Sequence, residues 1–275
     1  MAHIVRAALA AVLVCVAFVA RAADPVAFVS DIKGDVIMNG TGRPPFLAEL
    51  LPGSKLVLGP EARAAVMYVV TGEEFSLKGP GEYVVTKQGV KATKGGAPSS
   101  RIPALRASAK ALVETSRTAT ASLRMRSAPG PKGERPGPLY PVNARIATLL
   151  PTLRWAGEPG VMYSVVVTSA SGKEVFRGNV SGLSLRVPSR LVAGQGYAWS
   201  YSAGEAALGD SRFETLPPDA IVAAERARAE AKSFADRVLL ALVLVDLGAV
   251  QDAREVWAQL AAERPDIPEL AGLSR

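Results

Sequence analysis

The chain of 275 residues contains one cysteine, Cys15, and one histidine, His3. Both fall in a stretch that reads as a targeting segment. Residues 1–6 carry one Arg and no acid, residues 7–20 carry no charge, and Ala20-Arg21-Ala22 sets small residues at the two positions a signal peptidase reads. A cleaved secretion signal over residues 1–22 is the expectation, with an uncleaved anchor as the alternative. Val14 stands before Cys15 where lipidation wants a small residue, so Cys15 reads as apolar filler. A mature chain starting at Ala23 then has neither Cys nor His. That excludes zinc sites built on thiolate or imidazole, cysteine nucleophiles and Ser-His arrangements. It also excludes disulfides, which an exported compartment would permit. No catalytic residue, cofactor or metal ligand is expected, and the protein is read as not an enzyme.

Long apolar runs are missing too. Residues 7–20 and 238–245 are the longest, and a spanning helix needs about 20 residues. Acidic residues are scarce in one segment only. Residues 87–137 hold eleven Lys or Arg against Glu114 and Glu134, so the high overall pI of 9.7 belongs to that segment and the remainder is mildly acidic. The segment is poor in aromatics, so it does not read as a nucleic-acid site.

What is present is punctuated β sequence. Residues 57–85 hold an apolar run, the Thr71-Gly72 turn, an alternating run with Phe75 and Leu77, and Gly79-Pro80-Gly81 before Tyr83-Val84-Val85. Upstream, Lys33-Gly34-Asp35, Asn39-Gly40 and Leu51-Pro52-Gly53 mark further turns. Residues 23–88 therefore read as a small all-β domain. Gly34-Asp35-Val36, Leu51-Pro52-Gly53 leading into Leu56 and Leu58-Gly59, and Phe75-Ser76-Leu77-Lys78-Gly79-Pro80 together resemble the periplasmic domain of the FecR family. The resemblance covers about 60 residues. It implies a β-rich envelope domain that binds something; the family's namesake is a sensor regulator of iron-dicitrate uptake.

Residues 89–138 have linker composition, with Gly95-Gly96-Ala97-Pro98 and Pro129-Gly130-Pro131 bracketing an Ala- and Arg-rich stretch, 104–126, that suits a partly formed basic helix. It is read either as a contact with an anionic surface or as a solvated linker. Residues 139–217 form a second β domain, with Trp155 on an early strand, alternation at Tyr163, Val165 and Val167, and a late Gly196-Tyr197-Ala198-Trp199. This resembles a fibronectin type III or immunoglobulin-like sandwich. Tyr197, Trp199 and Tyr201 share one strand face, either an aromatic carbohydrate platform or inward-facing core.

Residues 218–275 read as helical. The spacing Gly248, Ala253, Trp257, Leu260, Pro265 resembles the second half of a tetratricopeptide repeat. One such unit cannot bury both faces, so it must pack on its own chain or on another. The fold class expected is mainly β, two small sandwich-like domains followed by a short helical region.

Candidate chemistry is thin. Asp31 with Asp35 and Glu73 with Glu74 are acid pairs of the kind glycoside hydrolysis uses, but both lie at predicted turns. The candidate partner-binding residues are Tyr197, Trp199, Tyr201 and Trp257. The function expected is an exported binding or scaffolding module for an envelope protein or cell-wall polymer. The alternative is a sensory arm of a transmembrane signalling system.

Overall fold

The computed structural model describes residues 24–124 and 137–275. The expected leader at 1–22, and residues 125–136 of the basic segment, lie outside the described residues. The fold is mainly β, two sandwich-like units joined by helices.

Alternating apolar residues and closely spaced turns build the first unit from nine short strands. They are β1 (Ala27–Lys33), β2 (Val36–Met38), β3 (Glu49–Leu50), β4 (Lys55–Leu58), β5 (Arg63–Tyr68), β6 (Glu74–Lys78), β7 (Gly81–Val85), β8 (Val90–Lys94) and β9 (Ser99–Arg101). They form two sheets of order β3-β1-β5-β6-β9 and β2-β4-β7-β8. Between the sheets lie Val29, Ile32, Leu56, Val66, Leu77 and Tyr83. The stretch 57–85 therefore changes sheet twice: β4 pairs with β7, and β5 with β6. Asn39 and Gly40 both take positive φ, 52° and 73°, as a tight mirror-image turn requires.

The unit runs past residue 88. β8 pairs with β7, and β9 pairs with β6, so residues 90–101 are sheet, not linker. The same segment then forms α1 (Ala109–Arg124), which buries Ala111, Leu112, Thr115 and Ala119. Its cap is Ser108, whose Oγ accepts from Ala111 N at 3.1 Å. The linker reading of 89–138 is corrected over residues 90–101, whereas the helix falls within the 104–126 stretch expected to be partly helical.

The second unit comprises β10 (Gly137–Tyr140), β11 (Ala144–Ile146), β12 (Thr152–Ala156), β13 (Tyr163–Ser169), β14 (Glu174–Val180), β15 (Ser184–Arg186), β16 (Gly196–Ala203) and β17 (Ala206–Thr215). Its sheets have the order β10-β12-β15 and β11-β17-β16-β13-β14, with β11 parallel to β17.

Four helices follow: α2 (Pro218–Glu230), α3 (Phe234–Asp246), α4 (Val250–Glu263) and α5 (Pro268–Leu273). Ser233 and Asp236 close a reciprocal capping box at the start of α3. Gly248, at φ 82°, turns the chain into α4. The apolar run 238–245 lies in α3, which is buried around most of its circumference because α1, α2, α4 and β1 all pack on it. The hairpin of α3 and α4 thus packs on its own chain. The core around it includes Leu240, Leu244, Trp257 and Leu260, together with Phe28 and Met67 of the first unit and Ala147 and Leu149 of the second. Among the described residues no helix is long and apolar enough to cross a membrane.

Candidate functional site

The three aromatics of β16 point inward. Trp199 and Tyr201 are each 1% exposed, and Tyr197 is also buried. Trp155 stacks on Tyr201 at 5.3 Å between centroids and meets Tyr163 edge-on at 5.5 Å. Trp199 stacks on Tyr201 at 6.0 Å, and Tyr197 on Phe213 at 5.4 Å. Their polar ends are satisfied inside the unit. Trp199 Nε1 donates to the Pro141 carbonyl at 2.9 Å, Tyr201 Oη donates to that of Ala156 at 3.2 Å, and Tyr197 Oη accepts from Val192 N at 2.9 Å. Trp257 is 2% exposed, with its ring edge-to-face with Phe46 at 6.1 Å. All four are therefore core, so the partner-binding candidacy is corrected, and of the two readings of Tyr197, Trp199 and Tyr201 the inward-facing one holds. The cause for the first three is the inner face of β16, and for Trp257 the helix core, where burying large aromatic area outweighs displaying it.

The acid pairs are taken up by structure. Asp31 Oδ1 accepts from Arg264 Nη1 at 2.7 Å, and buried Glu74 accepts from Arg101 Nε at 2.9 Å. Among the described residues no three Asp, Glu, His or Cys gather as a metal site would gather them.

Polar and charged side chains instead concentrate where the helices meet the two β units. On the first unit, Arg264, at the end of α4, also donates to the Ile32 carbonyl at 2.6 Å, and Glu269 of α5 accepts from Phe46 N at 3.1 Å. Arg101 bridges Glu74 to Asp236, 3.0 Å away at the start of α3. Ser116 of α1 donates to the Leu47 carbonyl at 2.9 Å. On the second unit, Arg228 of α2 pairs with Asp252 of α4 at 2.8 Å, and Asp252 accepts from Ala147 N at 3.2 Å. Gln251 accepts from Val142 N at 2.9 Å, and Arg154 pairs with Glu255.

The electrostatics of these joints differ. Burial pushes the Asp252 carboxyl up, against the pull of Arg228 and the Ala147 amide. Burial likewise pushes the Tyr140 hydroxyl beside it well above its ordinary value. Burial also pulls the Asp236 carboxyl up, but hydrogen bonds from Ser233 and the charge of Arg101 overcome it and hold the group low. The contrast is physical. Both lie in the first turn of a helix and accept from several donors, but Asp252 sits deeper between the layers, so the cost of burying its charge wins there.

No family model matches the chain, and a search of curated proteins finds no match. Above buried Trp257 lies a groove of about 250 Å³ between α1, α4 and α5, with Thr118, Val250, Arg254 and Leu273 on its walls. A second opening of about 410 Å³, lined by Arg43, Pro45, Asp266 and Pro268, lies where α5 meets the first unit. Sequence reasoning missed the bridging residues Arg101, Arg228 and Arg264. One signal was legible: Arg264 precedes Pro265-Asp266 at a helix end, where a basic side chain suits the helix dipole.

Proposed function

We propose that the protein is an exported, non-enzymatic envelope module that binds or scaffolds a partner, either a protein or a cell-wall polymer. The observation that carries this reading is the joint itself. Helices α3, α4 and α5 tie both β units through Arg264, Arg101, Asp252 and Glu255, whose partners lie up to 233 residues away in sequence. A joint of this kind holds two β units at a set orientation and leaves on display the faces that the helices do not cover, as a presenting scaffold requires. The likeness of residues 23–88 to the FecR periplasmic domain, and the secretion-type leader, support an envelope location and a binding role.

The direct bonds from α4 and α5 to β1 and Phe46 favour a second reading, a sensory arm in which the first unit reports through the helices. Crosslinking the protein in its native envelope and identifying what is captured separates the two. Recovery of a structural envelope protein or cell-wall fragments supports the scaffold. Recovery of an inner-membrane kinase, cyclase or other signalling protein supports the arm. Capture of nothing from intact envelopes, with the protein shown to be folded, overturns both.

A further inference from the structure

Lys33, Arg63 and Lys78 occupy one register row of the first unit: Lys33 lies opposite Arg63, and Arg63 opposite Lys78. Residues opposed in register share a face. The adjacent row, Ile32, Ala64 and Leu77, points into the sandwich core. The three cations therefore stand side by side on the other face, all exposed. With strands ~4.8 Å apart, three positive charges fall within about 10 Å.

Like charges directly opposed destabilise a sheet, and no carboxylate closes on this row. None of the three makes an ion pair with a described residue. Asp31, two residues along β1 on the same face, is held by Arg264, which also takes Asp266. Asp35 lies against Gly59, and Glu61, in the turn before Arg63, pairs with none of them. The backbone beneath the row is closely packed. A Cβ at Gly34 would come within 3.0 Å of Ala62 Cα, and one at Gly79 within 1.8 Å of the Gly59 carbonyl oxygen. Each flanking lysine is thus followed by a glycine locked into a neighbouring turn, so the row is held in place by packing.

We propose that this row is an anion site for a ligand bearing two or more neighbouring phosphate groups. A lone carboxylate would neutralise one charge of three, whereas adjacent phosphates match the row. Arg63 at the centre offers a planar fork for two phosphate oxygens, and the lysines flank it as point charges. The phosphates belong either to a soluble condensed or sugar phosphate or to lipid headgroups. The site does not depend on the scaffold reading.

The test uses the purified protein. Calorimetric titration with tripolyphosphate, and with sulfate as a single-anion control, is run at low and high ionic strength. Co-sedimentation compares vesicles of phosphatidylglycerol mixed with phosphatidylcholine against phosphatidylcholine alone. Binding of tripolyphosphate or of the anionic vesicles is expected, weakening as salt rises. Replacing the row by K33Q, R63Q and K78Q together is expected to weaken it at least about tenfold. The pair K33R and K78R is expected to retain it. The triple variant should melt no lower than the native protein, because repulsion has been removed, so lost binding is not lost folding. Tripolyphosphate binding alone identifies a soluble ligand, and vesicle binding alone a lipid. No binding of either probe by the native protein, or binding that the triple variant keeps, overturns the proposal.

Discussion

A methyl group at Gly79 would stand 1.8 Å from the carbonyl oxygen of Gly59, where no side-chain rearrangement can make room. Gly79→Ala is expected to cost about 3 kcal/mol or more, seen as a lowered urea midpoint, because two backbone turns must separate. A surface turn glycine without a neighbour, such as Gly40, meets nothing within 4 Å and serves as the contrast for steric cost. Trp199 poses the opposite question. As core it contributes packing, so Trp199→Ala is expected to destabilise by about 3–5 kcal/mol in equilibrium unfolding. A displayed platform residue would leave the unfolding midpoint almost unchanged. At this scale the sequence was informative about residue type and silent about direction. Alternation placed Tyr197, Trp199 and Tyr201 on one face, but the second sheet decides which face is inside.

The elements at the joint carry the pH dependence. The Asp236 carboxyl is held below its ordinary value of 3.8, so its stabilisation of the α3 start is complete above that value and is lost as the pH falls through the lower folded one. Asp236→Asn is therefore expected to flatten the loss of stability below about pH 4, followed by thermal melting across an acid series. Asp252 runs the other way. Its carboxyl is raised, the folded state takes up the proton more readily than the unfolded chain, and acid relieves the cost of burying its charge. Acid sensitivity that survives in Asp236→Asn without change would assign the effect elsewhere. The elements hardest to read were β8, β9 and α1. Only Val90 of β8 is buried and all of β9 is exposed, so edge pairing left little apolar pattern among Gly95, Pro98 and Ser99. Helix α1 was legible as a weakly apolar Ala-rich stretch, but its burial depended on neighbours far away in the chain.

Across the whole molecule, the helices couple the two β units. Arg264 and Arg101 tie the first unit, and Asp252 and Glu255 hold the second. The ion pairs among them are partly open to water, so each contributes about 1 kcal/mol or less, and coupling rests on several acting together. Arg264→Ala combined with Arg101→Ala is expected to turn a single calorimetric unfolding transition into two, as the first unit melts apart from the rest. A single transition at a merely lower temperature would show that the shared apolar core around Leu240 and Trp257 suffices for coupling.

The residues alone determined the turn positions, the cadence of short strands, the helical C-terminal region and the near absence of Cys and His. These follow from local backbone preferences and composition, which each short stretch carries by itself. Tertiary structure alone decided which strands share a sheet, that the candidate aromatics are buried, that residues 90–101 close the first unit, and that Lys33, Arg63 and Lys78 stand in one row. Those outcomes depend on register and packing between distant segments. The bond from Phe46 N to Glu269 spans 223 residues, and no local pattern records it.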